Sequence, residues 1–153
     1  MVFFENTASA AFFIKKKIIQ KAQQVTLPGA GVNLSSYPLQ PYPDNDPIRF
    51  LYLGRMNPEK GTDELLEAIK MLYDDCYDVQ LDLVGFFEDS YKEQLDALEA
   101  LGIAKFHGFQ EDPRPFYAAA DCLVLPSYHE GMSNVLLEAS ATGRPVITSD
   151  IPG

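Results

Sequence analysis

The run Cys122-Leu-Val-Leu125, followed by Ser127-Tyr-His-Glu-Gly-Met-Ser-Asn-Val-Leu-Leu-Glu-Ala-Ser-Ala-Thr-Gly143, decides the fold. The apolar run reads as a buried strand, the segment around Gly131 as a loop, and Asn134 onward as a helix with Ser133 as its N-cap. Such a unit leaves the N–H groups from about Gly131 to Val135 unpaired at the positive end of a helix dipole, which makes an anion site. Glu130 stands in the loop. Glu138 stands about one turn into the helix among leucines, where a carboxylate is costly unless something pairs with it. A ligand with an anionic part and vicinal hydroxyls suits both features. The plainer alternative puts Glu138 on a solvated helix face, because Val135, Leu136 and Ala139 can reach the core without it.

Working outward, the same alternation recurs from Ile48 onward. Strands are expected at Ile48–Leu53, Val79–Val84, Ile103–Phe106, Asp121–Leu125 and Pro145–Thr148. A helix starts at Gly61 or Thr62, with Asp63 and Glu64 in its first turn and Leu65, Ile69 and Leu72 as its apolar stripe. Ser90 and Glu93 form a capping box for the next helix, which buries Leu95, Leu98 and Leu101 and stops at Gly102. Asp112 as N-cap and Pro113 at the first helical position open a short helix to Ala120, and the last helix runs from Asn134 to Thr142. Strands alternating with helices through short loops give an α/β fold, a doubly wound, Rossmann-like parallel sheet with helices on both faces. Ligands bind such sheets at the carboxyl ends of the strands, near a switch in strand order. The loops leaving those ends are Gly54–Gly61, His107–Asp112 and Pro126–Ser133.

The first part of the chain reads differently. Val2–Phe4 is a short strand, Thr7–Ala22 a helix, Gln24–Leu27 a strand and Pro28–Gly31 a turn. Val32 to Pro47 carries Pro38, Pro41, Pro43 and Pro47 without periodicity and reads as a linker.

Composition narrows the classes. The 153 residues suit roughly one ordinary domain, and 46% hydrophobic content supports a packed core. A net charge of -10 argues against nucleic acid as the main partner, though a small phosphorylated ligand needs only local positive charge. Cys76 and Cys122 show neither metal-ligand spacing nor a disulfide pattern and fit a reducing compartment. No run is long enough to span a membrane, and no signal-peptide pattern follows Met1, so a cytoplasmic location is expected. Lys15, Lys16, Lys17 and Lys21 around Ile18 and Ile19 read as a solvated helix face, with a peripheral contact to an anionic bilayer as the alternative.

The loop Gly54-Arg-Met-Asn-Pro-Glu-Lys-Gly61 supplies Arg55, a bidentate fork, and Lys60, a mobile point charge. With the helix end at Ser133 they suffice to neutralise a diphosphate; a solvated surface loop is the alternative. The order Lys60-Gly61-Thr62 is not that of a phosphate-binding P-loop, and Gly54 followed only by Gly61 is not a dinucleotide fingerprint. Asp44-Asn-Asp46 lies between prolines and follows no strand, so no metal site is read there. His107 and His129 have no partners at ligand spacing; His129 either lines the pocket or plays a structural part.

The segments Phe50-Leu-Tyr-Leu-Gly-Arg-Met-Asn-Pro-Glu-Lys-Gly61, Phe106-His-Gly-Phe109 and Pro126-Ser-Tyr-His-Glu-Gly-Met-Ser-Asn-Val-Leu-Leu-Glu138 resemble the C-terminal, donor-binding domain of GT-B glycosyltransferases. The resemblance is to retaining family 4, glycosyl transferases group 1, with Glu130 and Glu138 on its E-x7-E motif. Gly143 to Gly153 resembles the strand and turn that follow in the family. The resemblance implies residues 48–153 as the nucleotide-sugar-binding domain, 1–33 as the tail of the N-terminal domain and 34–47 as the interdomain linker. It implies that Arg55 and Lys60 hold a donor diphosphate, Glu138 the ribose hydroxyls and Glu130 the donor sugar near the reacting carbon. It also implies that Gly54 lies at the donor, that Gly131, Met132, Ser133 and Asn134 contact phosphate and sugar through their N–H groups, and that Gly108-Phe109 lies beside the base. No metal or other cofactor is implied; the partners are a nucleotide-diphosphate sugar and an acceptor, in polysaccharide or glycoconjugate synthesis. The family's acceptor domain and closing helices are missing from this pattern, so the chain reads as a piece of a larger hexosyl-type transferase, inactive alone. Other readings are a nucleotide-sugar epimerase or phosphorylase of the same fold, or a non-catalytic nucleotide-binding or interaction domain.

Overall fold

The computed structural model describes residues 1–27 and 29–152, with only the backbone of Asp89. Pro28, in the expected turn, and Gly153, in the closing turn, lie outside the described residues. The main sheet has five strands: β3 (Ile48–Met56), β4 (Val79–Phe87), β5 (Ala104–Phe106), β6 (Cys122–Leu125) and β7 (Val146–Thr148). All pair in parallel, in the order β5-β4-β3-β6-β7. Before them, β1 (Val2–Phe4) and β2 (Gln24–Thr26) form a separate parallel pair across α1 (Thr7–Lys15).

Alternation within the strands sends side chains to two cores. On one face, Tyr52, Met56, Leu81 and Leu83 pack with Leu65, Leu66 and Ile69 of α2 (Thr62–Asp74) and Leu95 and Leu98 of α3 (Lys92–Ala100). On the other, Leu51, Val84 and Leu123 meet Tyr117 of α4 (Arg114–Ala119) and Ala139 of α5 (Asn134–Ala141). Each fully buried leucine stabilises the fold by roughly 1.5–3 kcal/mol, so both layers hold the sheet. The strand order reverses beside β3: β4 and β5 build outward on one side, then β6 returns to the other. The loops after β3 and β6 therefore leave neighbouring strand ends at the place where a doubly wound sheet opens a crevice.

The central strands run further than their apolar stretches suggest. β3 and β4 stay paired through Gly54↔Gly85 to Met56↔Phe87. A Cβ on Gly85 would stand 2.0 Å from the Gly54 carbonyl oxygen, so the close approach needs glycine there.

Several helix boundaries differ from expectation. α1 stops at Lys15 rather than Ala22. Ile18 N–H donates to Phe13 O and Lys17 N–H to Ile14 O, with Lys17 at φ 57°, which closes the helix as a Schellman motif. A single 3₁₀ turn, Lys21–Gln23, follows, so Lys15, Lys16, Lys17 and Lys21 do not share one helical face. The Ser90–Glu93 capping box does not form: a 3₁₀ turn at Asp89–Tyr91 precedes α3, and Tyr91, buried in the core, takes the N-cap position. In α4 Pro113 is the N-cap, while Asp112 still accepts from the Arg114 N–H at 3.1 Å. Residues 34–47 are irregular but lie against the main sheet's unit: Tyr42 Oη donates to Asp121 O, Asn45 Nδ2 to Asp121 Oδ2, and buried Arg144 to the carbonyls of Gln40 and Pro41.

Candidate functional site

The loop after β3 is held by its own side chains. Asn57 Oδ1 accepts from the Lys60 N–H at 3.0 Å, Thr62 Oγ1 donates to Asn57 O at 2.9 Å, and Tyr52 Oη donates to Arg55 O at 2.8 Å. Burial raises the Tyr52 hydroxyl well above its ordinary value, so it stays a donor. Gly61 closes the loop at φ 66°, where a Cβ would lie 2.2 Å from Pro126 O. Arg55 is thereby presented exposed, and Lys60 partly buried. The Tyr128 N–H donates to Glu59 O at 2.9 Å, tying this loop to the one after β6.

Across the crevice, α5 begins at Asn134 with Ser133 in the N-cap position, but the serine side chain makes no capping bond. The N–H groups of Ser133 and Asn134 donate to nothing among the described residues. The Met132 N–H points at Glu5 Oε2, 3.3 Å away, so a carboxylate from the segment before α1 stands at the anion site expected from sequence. Asn6 Nδ2 donates to the carbonyls of Glu130 and Gly131 at 3.3 and 3.4 Å.

Lys60 Nζ and Glu130 Oε1 are 2.6 Å apart, an ion pair joining the two loops. Gly54, Arg55, Lys60, Glu130, Met132, Ser133 and Asn134 all line one 280 Å³ cleft, and Gly131 completes its loop. Glu138 does not line that cleft. It is half-buried, and Tyr117 Oη donates to its Oε2 at 2.7 Å, which supplies the partner its position demanded. Phe109 is also outside the cleft; it is exposed and stacked on Phe86 with centroids 5.2 Å apart and planes 13° apart. The Gly85 N–H to Gly108 O bond, 2.9 Å, fixes that shelf to the end of β4. His129 lines a separate 410 Å³ cleft with Phe12 and Phe13, and His107 Nε2 is 2.6 Å from Asp82 Oδ1.

Sequence reasoning missed Tyr52, Asn57, Tyr117, Phe86, Glu5 and Asn6. Asn57-Pro58 carries a local turn signal that marks the first loop. Tyr117, Phe86, Glu5 and Asn6 reach the site through long-range packing, which has no local signature.

Residues 47–153 match the family model described as glycosyl transferases group 1. The lipopolysaccharide core biosynthesis glycosyltransferase LpsE of Rhizobium meliloti is 38% identical over 103 residues, covering 66% of this chain and 29% of that protein. The crystal structure of Anabaena Alr3699/HepE in complex with UDP superposes with a TM-score of 0.79 at 21% identity, over 100% of this chain and 45% of that one. That of WaaG, a glycosyltransferase involved in lipopolysaccharide biosynthesis, gives 0.80 at 24% identity, over 97% and 44%. At such identities the structural likeness establishes the fold.

Proposed function

The chain belongs to the glycosyl transferases group 1 family, and from that premise we propose that residues 48–153 are the donor-binding half of a retaining, hexosyl-type glycosyltransferase that uses a nucleotide-diphosphate sugar. One observation carries this reading: the strand-order switch brings the Arg55/Lys60 loop and the open N-terminus of α5 to the same cleft. Arg55 and Lys60 hold the diphosphate, and the N–H groups of Gly131, Met132, Ser133 and Asn134 contact phosphate and sugar. Glu130 stands by the sugar hydroxyls near the reacting carbon. Glu138 accepts from the ribose, and the Gly108-Phe109 loop, with Phe86 stacked on Phe109, flanks the base. Gly54 lets the donor approach the backbone. Lys60 is paired with Glu130 and Glu5 stands near the Met132 N–H; a bound diphosphate takes the place of these two carboxylates at Lys60 and at the helix end. Negative charge grows on the leaving diphosphate, so Arg55, Lys60 and the helix end stabilise the transition state without a metal. The name of the relative LpsE supports a product of the polysaccharide or glycoconjugate class, and the HepE complex supports uracil as the base to test first.

Titration of the isotope-labelled chain with UDP, GDP and ADP, followed by amide shifts, tests this reading. Shifts clustered at residues 54–61 and 131–138, with the Gly108-Phe109 loop responding to the base, are expected with one nucleotide. A folded chain that responds to none of them overturns it.

A further inference from the structure

We propose that Tyr117 is a positioning residue that holds the Glu138 carboxylate ready for the ribose hydroxyls, an inference that rests on the donor-site reading above. Glu138 enters from the first turns of α5, and a free glutamate there samples several rotamers. Tyr117 allows no such freedom to itself: it is fully buried, and its ring meets Tyr37 edge-on at 6.0 Å and 73°. Its hydroxyl donates to Glu138 Oε2 at 2.7 Å, and the Tyr37 hydroxyl also lies close to this carboxylate. An ionised carboxylate offers about four lone-pair sites. Tyr117 fills one, fixes the plane of the group and leaves the rest to accept from a ligand. Tyr37 comes from the irregular segment before β3, so that segment also braces this side of the site. Burial, then the Glu138 charge, raises both tyrosine hydroxyls, which keeps them as donors rather than competing anions.

A tyrosine that merely fills the core would affect all ligands equally; a positioning tyrosine acts only on those with ribose hydroxyls. The test is therefore a comparison of UDP, GDP and ADP, each against its 2′,3′-dideoxy form, binding to the wild-type chain, Tyr117→Phe and Glu138→Gln. In the wild type the ribose form is expected to bind roughly tenfold or more tighter, the scale of a hydrogen bond to a charged group. Tyr117→Phe should bring that ratio most of the way to the Glu138→Gln value while leaving dideoxy affinity unchanged. A wild-type ratio retained in Tyr117→Phe overturns the positioning role and leaves the donor-site reading standing. No binding of any nucleoside diphosphate to the wild type overturns both. If Tyr117→Phe fails to fold, the hydroxyl proton of Tyr117 in the wild-type chain carries the test. It should stay protected from exchange when the nucleotide is bound, and solvent-rate exchange in the complex overturns the inference.

Discussion

The two loops that face each other across the cleft are built on opposite plans. The loop after β3 is anchored from within: Tyr52, Asn57 and Thr62, all in or next to it, hold its backbone, and Gly61 seats it against Pro126. The loop after β6 takes its hydrogen bonds from elsewhere: Asn6 and Glu5 from the first unit, Glu59 and Lys60 from the other loop. One loop is a fixed presenter of positive charge. The other, which carries Glu130 and the start of α5, is tied instead to Glu5 and Asn6 of the N-terminal unit.

This contrast can be broken at its strongest point by Gly61→Ala. A left-handed φ and a Cβ 2.2 Å from a backbone oxygen leave no inexpensive adjustment, and a loss of roughly 2–4 kcal/mol is expected from strain plus displacement of β6's exit. Urea unfolding checks it: the midpoint should fall with the slope unchanged. Next in size, Lys60→Met should weaken nucleoside diphosphate binding roughly 10–100-fold, the scale of a charge-assisted hydrogen bond, without disturbing the amides of Asn57 and Thr62. Calorimetric titration together with an amide spectrum measures both, and unchanged affinity would remove Lys60 from the anion site. The smallest effect, about 1 kcal/mol, is expected from Asn6→Ala, which removes the α1 cap to the Ser9 N–H along with the two long bonds to Glu130 and Gly131. Hydrogen exchange should quicken at residues 130–134 and remain as it was at 55–62. Equal acceleration in both loops would show that the asymmetry is not real.

What could be read in advance follows the range of the interactions. Buried strands and apolar helix stripes are local, and β3 through β7 begin within a residue of where their apolar runs put them, although β3 and β4 continue three residues past theirs. Helix ends were readable where glycine supplies the left-handed exit, at Gly102, but not where Lys17 adopts the same conformation, because lysine carries no such signal. The charged loop and the E-x7-E spacing were likewise local, and Arg55, Lys60 and Glu130 meet at one cleft. The Tyr117 bond to Glu138 and the Asn6 reach to Glu130 span 21 and 124 residues of chain, and only the folded topology brings them together.

Arg144 has a mechanical consequence. Its guanidinium grips the carbonyls of Gln40 and Pro41, the Gln40 N–H donates to Thr142 O, and Tyr37 leans on Tyr117. From Tyr37 onward the proline-rich stretch is thus upholstery riveted to the larger unit rather than slack rope between two bodies. Any swing of the first unit must be absorbed upstream, near the turn at Asn33 where the Ser36 and Tyr37 N–H groups fold back. Glu5 and Asn6 lie on the far side of that turn, so their hold on residues 130–132 comes from a part of the chain that the Arg144 clamp does not secure.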